Sequence, residues 1–348
     1  MYIDDPGANV SSFCTILLGP HPSFLFGPFH PSIHYWPPYR RAFGFHCLGN
    51  STWDSTMFFL TYFYYKILAV ILRALVVRGQ RISAKPDSVQ QIPSRDTGRA
   101  ITANVYRSAS KLSPSPVLLN FHGSGFLIPL HGSDDEFCRR ISCETDYTVL
   151  DIQYRLAPEN PFPAAVHDVE DAVNWVLQHP EDFDLSHVSI SGFSAGGNLA
   201  LGASSCLFPR DTFRSVLAFY PALDLATEPG TKAAPDPTIR PLPAALARLF
   251  NRCYIPSGYD ARDPRISPYY AAPARFPDRV LMVTAAGDNL ALEAEELANK
   301  ISREPGRQVV SQRMQGCRHA WDKNTRVGSI EADAKDKAYS MAVAMLSQ

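Results

Sequence analysis

HVSISGFSAGGNLALGASSC, residues 187–206, is the stretch whose reading decides the fold. Its first part, HVSISGF (187–193), is a short run of apolar and small residues of the kind found in buried strands. Its last part, Gly197–Cys206, reads as a helix. Between them lies Gly192-Phe193-Ser194-Ala195-Gly196. A backbone passing from strand to helix in so few residues turns sharply, and a Cβ on either side would obstruct it. Small residues therefore flank Ser194 and leave its hydroxyl exposed. The helix that follows aims its first amides at the same spot. Ser194 is the candidate nucleophile, and the amide of Ala195 a candidate donor to a developing oxyanion.

Outward from this turn, short apolar runs alternate with helical stretches. ITANVYR (101–107), VLLNF (117–121), TVLDIQYR (148–155), SVLAFYP (215–221), RVLMVTAAG (279–287) and QVVSQRM (308–314) read as strands. Ala164–Gln178 places Val166, Val169, Val173, Val176 and Leu177 on one helix face, and Leu290–Ile301 and Ile330–Leu346 read as further helices. Strands alternating with helices imply an α/β fold, a mainly parallel sheet covered on both sides.

The chemistry needs a base and an acid, in the order Ser, acid, His along the chain. Of the ten histidines, His187 and His319 lie after Ser194 or close before it. His187 begins the strand that ends in the turn, so it belongs to the wrong end of the sheet. His319 sits in GCRHAW, the loop after QVVSQRM, at the correct end. For the acid, Asp288 directly follows RVLMVTAAG and also suits a helix N-cap. Asp224 and Asp263 stay open as alternatives. A second glycine-rich turn, His122-Gly123-Ser124-Gly125-Phe126, follows the strand VLLNF, where inward-facing amides would complete an oxyanion site.

The remaining segments are read by composition. Residues 1–55 interleave prolines with aromatics such as Phe24, Phe26, Tyr35 and Trp36, which suits an irregular N-terminal segment. Residues 56–90 hold the most apolar stretch, 56–78. Lys66 and Arg73 interrupt it, so it is expected as a helix capping a cleft, with those two side chains in water, rather than as a membrane span. Residues 91–348 form the expected catalytic domain, with the proline-rich stretch 226–260 as a cap insertion around a helix at Pro243–Tyr254. A net charge of -1 offers nothing to nucleic acid and little to an anionic membrane. Seven cysteines without a CxxC pair exclude the usual zinc spacing. Scattered thiols, and acidic Asp4 and Asp5 where a signal peptide carries positive charge, lead us to expect a cytoplasmic protein. Any membrane contact would fall to 56–78.

YRLAPENPFPAAVHD (154–168), HGSGF (122–126), GFSAGG (192–197), DPRISP (263–268) and the Asp288 and His319 loops occur in one order. Together they resemble the hormone-sensitive-lipase-like branch of the α/β-hydrolases. The resemblance covers roughly residues 85–340 and implies an eight-stranded, mostly parallel sheet, an N-terminal helical cap, and esterase activity on a small-molecule ester. It carries oxyanion roles onto Ser124, Gly125 and Ala195, within the loop that includes His122 and Gly123. It implies no cofactor and no metal. Two positions depart from the pattern: Ser124 stands where the family has a second glycine, and Phe193 where it has an acid beside the nucleophile. Phe126, Leu127, Phe193 and Trp321 beside the catalytic loops, with Phe58, Phe59, Tyr62 and Phe63 overhanging them, would suit a short to medium acyl or aromatic ester. A membrane-attached lipase, a lactonase or deacetylase, and a non-catalytic receptor on the same fold are the rival readings.

Overall fold

Successive residues of a strand face opposite sides of its sheet, and the strand Ser115–Phe121 uses both. Val117, Leu119 and Phe121 enter one apolar core, while Leu118 enters another. Such a strand needs cover on both sides, and the computed structural model supplies it. The structure describes residues 52–79, 82–110 and 112–348, with side chains of 52–60, 77 and 79 excluded. The expected irregular segment therefore lies outside the described residues as far as residue 51, and so do the side chains of Phe58 and Phe59.

In chain order the strands are β1 (Ser88–Pro93), β2 (Ala100–Tyr106), β3 (Ser115–Phe121), β4 (Thr148–Ile152), β5 (Phe183–Phe193), β6 (Ser215–Phe219), β7 (Arg279–Ala285) and β8 (Gln308–Met314). They form one eight-stranded sheet in the order β1-β2-β4-β3-β5-β6-β7-β8. Strand β2 pairs antiparallel with β1 and β4, and all other pairs are parallel. Leu119 stands beside Ile190, and Ile190 beside Val216, so apolar rows cross the sheet in register.

The helices are α1 (Thr52–Gly79), α2 (Asp135–Glu144), α3 (Ala164–Leu177), α4 (Ala195–Gly202), α5 (Ala244–Tyr254), α6 (Ala291–Ser302) and α7 (Ile330–Leu346). Val166, Val169, Val173 and Val176 of α3 pack on one face of the sheet with α4 and α6. Phe137 and Ile141 of α2 pack on the other with Ala338, Tyr339 and Ala342 of α7. Strand β1 adds to the strands expected from the sequence. It is an edge strand, SVQQIP, that buries Ile92 alone, so it carries almost no apolar signal. Helix α2 escaped for a similar reason: it is ten residues of mostly polar sequence.

The motif at 154–168 has a structural job. Asp168 is fully buried and accepts from both Arg99 and Arg155, locking the chain after β4 onto α3. Helix α1 seats Ala69 and Leu72 on the first core. Against expectation, Arg73 does not point to water. Its guanidinium donates to the Leu127 carbonyl at 2.8 Å, the Ala157 carbonyl at 2.7 Å and the Glu159 carboxylate at 2.8 Å. Phe63, Tyr64, Ile67 and Val70 are among the residues that face outward. The helix turns its docked face by two strong carbonyl acceptors that would otherwise lack a donor. Among the described residues, no helix is long and apolar enough to cross a membrane.

Candidate active site

The chain leaves β5 and enters α4 through Ser194, whose φ of 51° and ψ of -113° are rare for a residue with a side chain. Such a backbone costs about 1–3 kcal/mol and persists where its surroundings over-determine it. Two glycines do so here. A Cβ on Gly192 would stand 2.3 Å from the Gly196 carbonyl, and one on Gly196 would stand 1.8 Å from the Phe121 carbonyl oxygen. No other residue fits either place.

Neighbouring strands deliver the two partners. The loops after β7 and β8 are tied by the Gly287 amide, which donates to the Cys317 carbonyl at 2.9 Å. This brings His319 Nδ1 to 2.6 Å from Asp288 Oδ2, and His319 Nε2 to 2.9 Å from Ser194 Oγ. Asp288 is fully buried and divides its oxygens. Oδ1 accepts from the Leu290 amide at 3.1 Å, while Oδ2 faces the imidazole. The N-cap position itself falls to Leu290, so Asp288 does not cap the helix as its position suggested; its Oδ1 closes the turn just ahead of the helix while Oδ2 pairs with His319. Burial pulls the His319 pKa down, but the charge and hydrogen bond of Asp288, with Asp322 further off, outweigh it and leave the value raised.

The alternatives are engaged elsewhere. Asp224 accepts from the Ala226 and Thr227 amides, and Asp263 pairs with Arg265. His187 bonds Asp184 at 2.7 Å. His122 is buried, and burial, then the neighbouring His131, pushes its pKa down to about 3, so it stays neutral.

The loop 122–126 lies across from Ser194. A Cβ on Gly123 would be 3.6 Å from that of Ser194, whereas one on Gly125, at φ +54°, would meet the Phe250 ring at 2.5 Å. Ser124 turns its hydroxyl inward. Its Oγ accepts from the Phe126 amide at 2.8 Å and lies 2.7 Å from the Tyr154 hydroxyl, which itself donates to the His122 carbonyl at 2.6 Å. Serine in place of glycine thus bolts the turn together. Tyr154 opens the 154–168 motif, but its contact to Ser124 spans 30 residues and leaves no local signal in the sequence.

The expectation that Phe193 shapes an acyl pocket is not met. Its ring stacks on Phe219 at 4.5 Å and belongs to the second core, behind the turn. Trp321 is buried in the same core. Among the described residues, no group of three or more His, Cys, Asp or Glu is arranged to hold a metal ion.

A serine held at positive φ between a central strand and a helix, with loops of the next strands bringing His and Asp to it, defines the α/β-hydrolase class. Comparison with known proteins agrees. The profile of the alpha/beta hydrolase fold family matches residues 118–323, more than half of the chain, and the protein belongs to that family. It is 31% identical over 259 residues to carboxylic ester hydrolase LipN of Mycobacterium tuberculosis, covering 71% of this chain and 68% of that one. It is 41% identical over 88 residues to Esterase LipI of the same organism, covering 25% of this chain and 28% of LipI, less than a third of that relative's length. A solved esterase of the archaeon Pyrobaculum calidifontis superposes with a TM-score of 0.65 at 28% identity, covering 83% of this chain and 92% of that one.

Proposed function

We propose that Ser194, His319 and Asp288 form the triad by which this member of the family hydrolyses carboxylic esters through an acyl-enzyme. The observation that carries the proposal is the unbroken line from Ser194 Oγ to His319 Nε2, at 2.9 Å, and from His319 Nδ1 to Asp288 Oδ2, at 2.6 Å. With its proton on Nδ1, the imidazole presents a lone pair to the serine hydroxyl. It takes that proton as Oγ attacks the ester carbonyl. The oxyanion is held by the amide of Ala195 and those of the turn, Ser124 and Gly125; a Cβ on Gly123 would stand 3.6 Å from that of Ser194, so the turn lies close to the nucleophile. His319 then protonates the leaving alcohol and activates water to release the acid.

The substrate is a small-molecule ester of short to medium acyl or aromatic type. Ile239 packs over Gly287, beside Asp288, and Phe250 packs over Gly125. These apolar groups of the 226–260 insertion, with α1 docked through Arg73, form a cap that favours an uncharged ligand.

A fluorophosphonate probe tests the reading. It is expected to label Ser194, and Ser194→Ala to lose on the order of 10⁶ in kcat. Labelling mapped to another serine would overturn the assignment.

A further inference from the structure

Behind the nucleophile turn lies a buried charge cluster that the reaction, as described, does not use. Lys323, four residues beyond His319, places its Nζ 2.7 Å from Asp134 Oδ1 and 2.8 Å from Asp322 Oδ2. The same Nζ lies 3.7 Å above the centre of the Phe193 ring. Both carboxylates are essentially inaccessible to solvent. Asp322 also accepts from Tyr220 at 2.6 Å and Tyr339 at 2.8 Å. Asp134 accepts from Asn120 at 2.9 Å, and Asn120 in turn accepts from Ser191 of β5.

These contacts converge on the catalytic loop. Phe193 is the residue immediately before Ser194. Tyr220, held by Asp322, sets its ring edge-on to the His319 imidazole at 4.9 Å. Two buried acids without a cation between them would repel and draw in water, and Lys323 touches both. Its seat on an aromatic face adds a further attraction that a carboxylate at position 193 would not supply in the same form. Fixing a lysine in this way costs rotamer freedom, which the two ion pairs and the aromatic seat offset.

We propose that Lys323 is a positioning residue: it clamps the His319 loop to the back of the nucleophile turn and balances the charge of Asp322 beside the imidazole. The inference rests on the reading of His319 as general base. The charged and titratable groups facing His319 are Asp288 from the loop after β7, Tyr220 from the chain after β6, and Asp322 on its own loop. Those facing Lys323 are Asp134, Asp322, neutral His122 and the buried Cys138 thiol of α2, with Asp151 behind Asn120.

The experiment is the pH dependence of kcat/KM, with kcat and KM, for wild type, Lys323→Met and Asp322→Asn. In Lys323→Met, Asp322 keeps two phenolic donors and its charge, now uncompensated, favours protonated His319. The midpoint of the acidic limb is expected to rise by about half a unit. kcat is expected to fall by about tenfold to a hundredfold with KM nearly unchanged, because a misplaced base costs rate rather than binding. In Asp322→Asn the midpoint moves the other way, to lower pH. A residue that merely stabilises the fold moves neither midpoint. If Lys323→Met does not fold, Asp322→Asn decides alone, since Lys323 remains paired with Asp134 there. Unmoved midpoints in variants that fold, with wild type showing its limb and labelling at Ser194, overturn this inference and leave the catalytic reading standing. A wild type without such a limb overturns both.

Discussion

Asp288 shows how much a single residue can be asked to do. One oxygen accepts from the Leu290 amide in the turn that leads into α6, and the other orients His319. Asparagine would keep the first contact and spoil the second, since its amide nitrogen would face Nδ1 and favour the wrong tautomer. Asp288→Asn is therefore expected to lower kcat by about 10⁴, while a thermal melt shifts by a few degrees at most. Near-normal turnover would return the acid's role to Asp224 or Asp263. The pair also sets a pH dependence. Protonated His319 cannot accept the serine proton, so activity rises with pH as it deprotonates. Because Asp288 raises its pKa against the pull of burial, the midpoint of kcat/KM is expected above the ordinary histidine value of about 6.5. The linked stability term runs oppositely: it is present in full below that ordinary value and is lost as pH rises through the raised one. A midpoint at or below 6.5 in a wild type of constant stability would contradict the geometry.

At the scale of elements, α1 is joined to the body by Arg73 as well as by Ala69 and Leu72. The guanidinium satisfies two backbone carbonyls, one of them on Leu127 directly after the 122–126 turn, and pairs with Glu159. Arg73→Met keeps the apolar stem and leaves those acceptors unpaired, which is expected to cost about 1–3 kcal/mol in urea denaturation. Lysine has one cationic centre instead of a fork and is expected to restore part of that loss. An unchanged denaturation midpoint in Arg73→Met would show that α1 is not seated in this way.

At the scale of the whole molecule, the sheet separates two apolar cores. Phe137 fills the one under α2 and α7, and Leu297 the one under α3, α4 and α6; both are fully buried. Phe137→Ala is expected to cost about 3–5 kcal/mol and Leu297→Ala about 2–5 kcal/mol. The sheet stands between them, so the double variant should lose the sum to within about 0.5 kcal/mol. Equilibrium denaturation of the three variants checks this, and a strong departure from additivity would mean that the cores communicate through the sheet.

The local chemistry of this protein is written in short range. The glycines around Ser194, the strand before it and the helix after it lie within twenty residues, so steric necessity alone marks the turn. The Asp and His loops were legible because each follows a strongly apolar strand, and chain order then assigns them to one end of a parallel sheet. Edge strand β1 and polar helix α2 carry too few buried residues to announce themselves. The tertiary structure decided the rest, because those choices depend on what lies opposite. Arg73 turns inward to carbonyls 54 and 84 residues away. Phe193 faces a core instead of a cleft, and Lys323 finds Asp134 across 189 residues. Burial, which sets the worth of a charge, belongs to the assembled fold and to no single stretch of the chain.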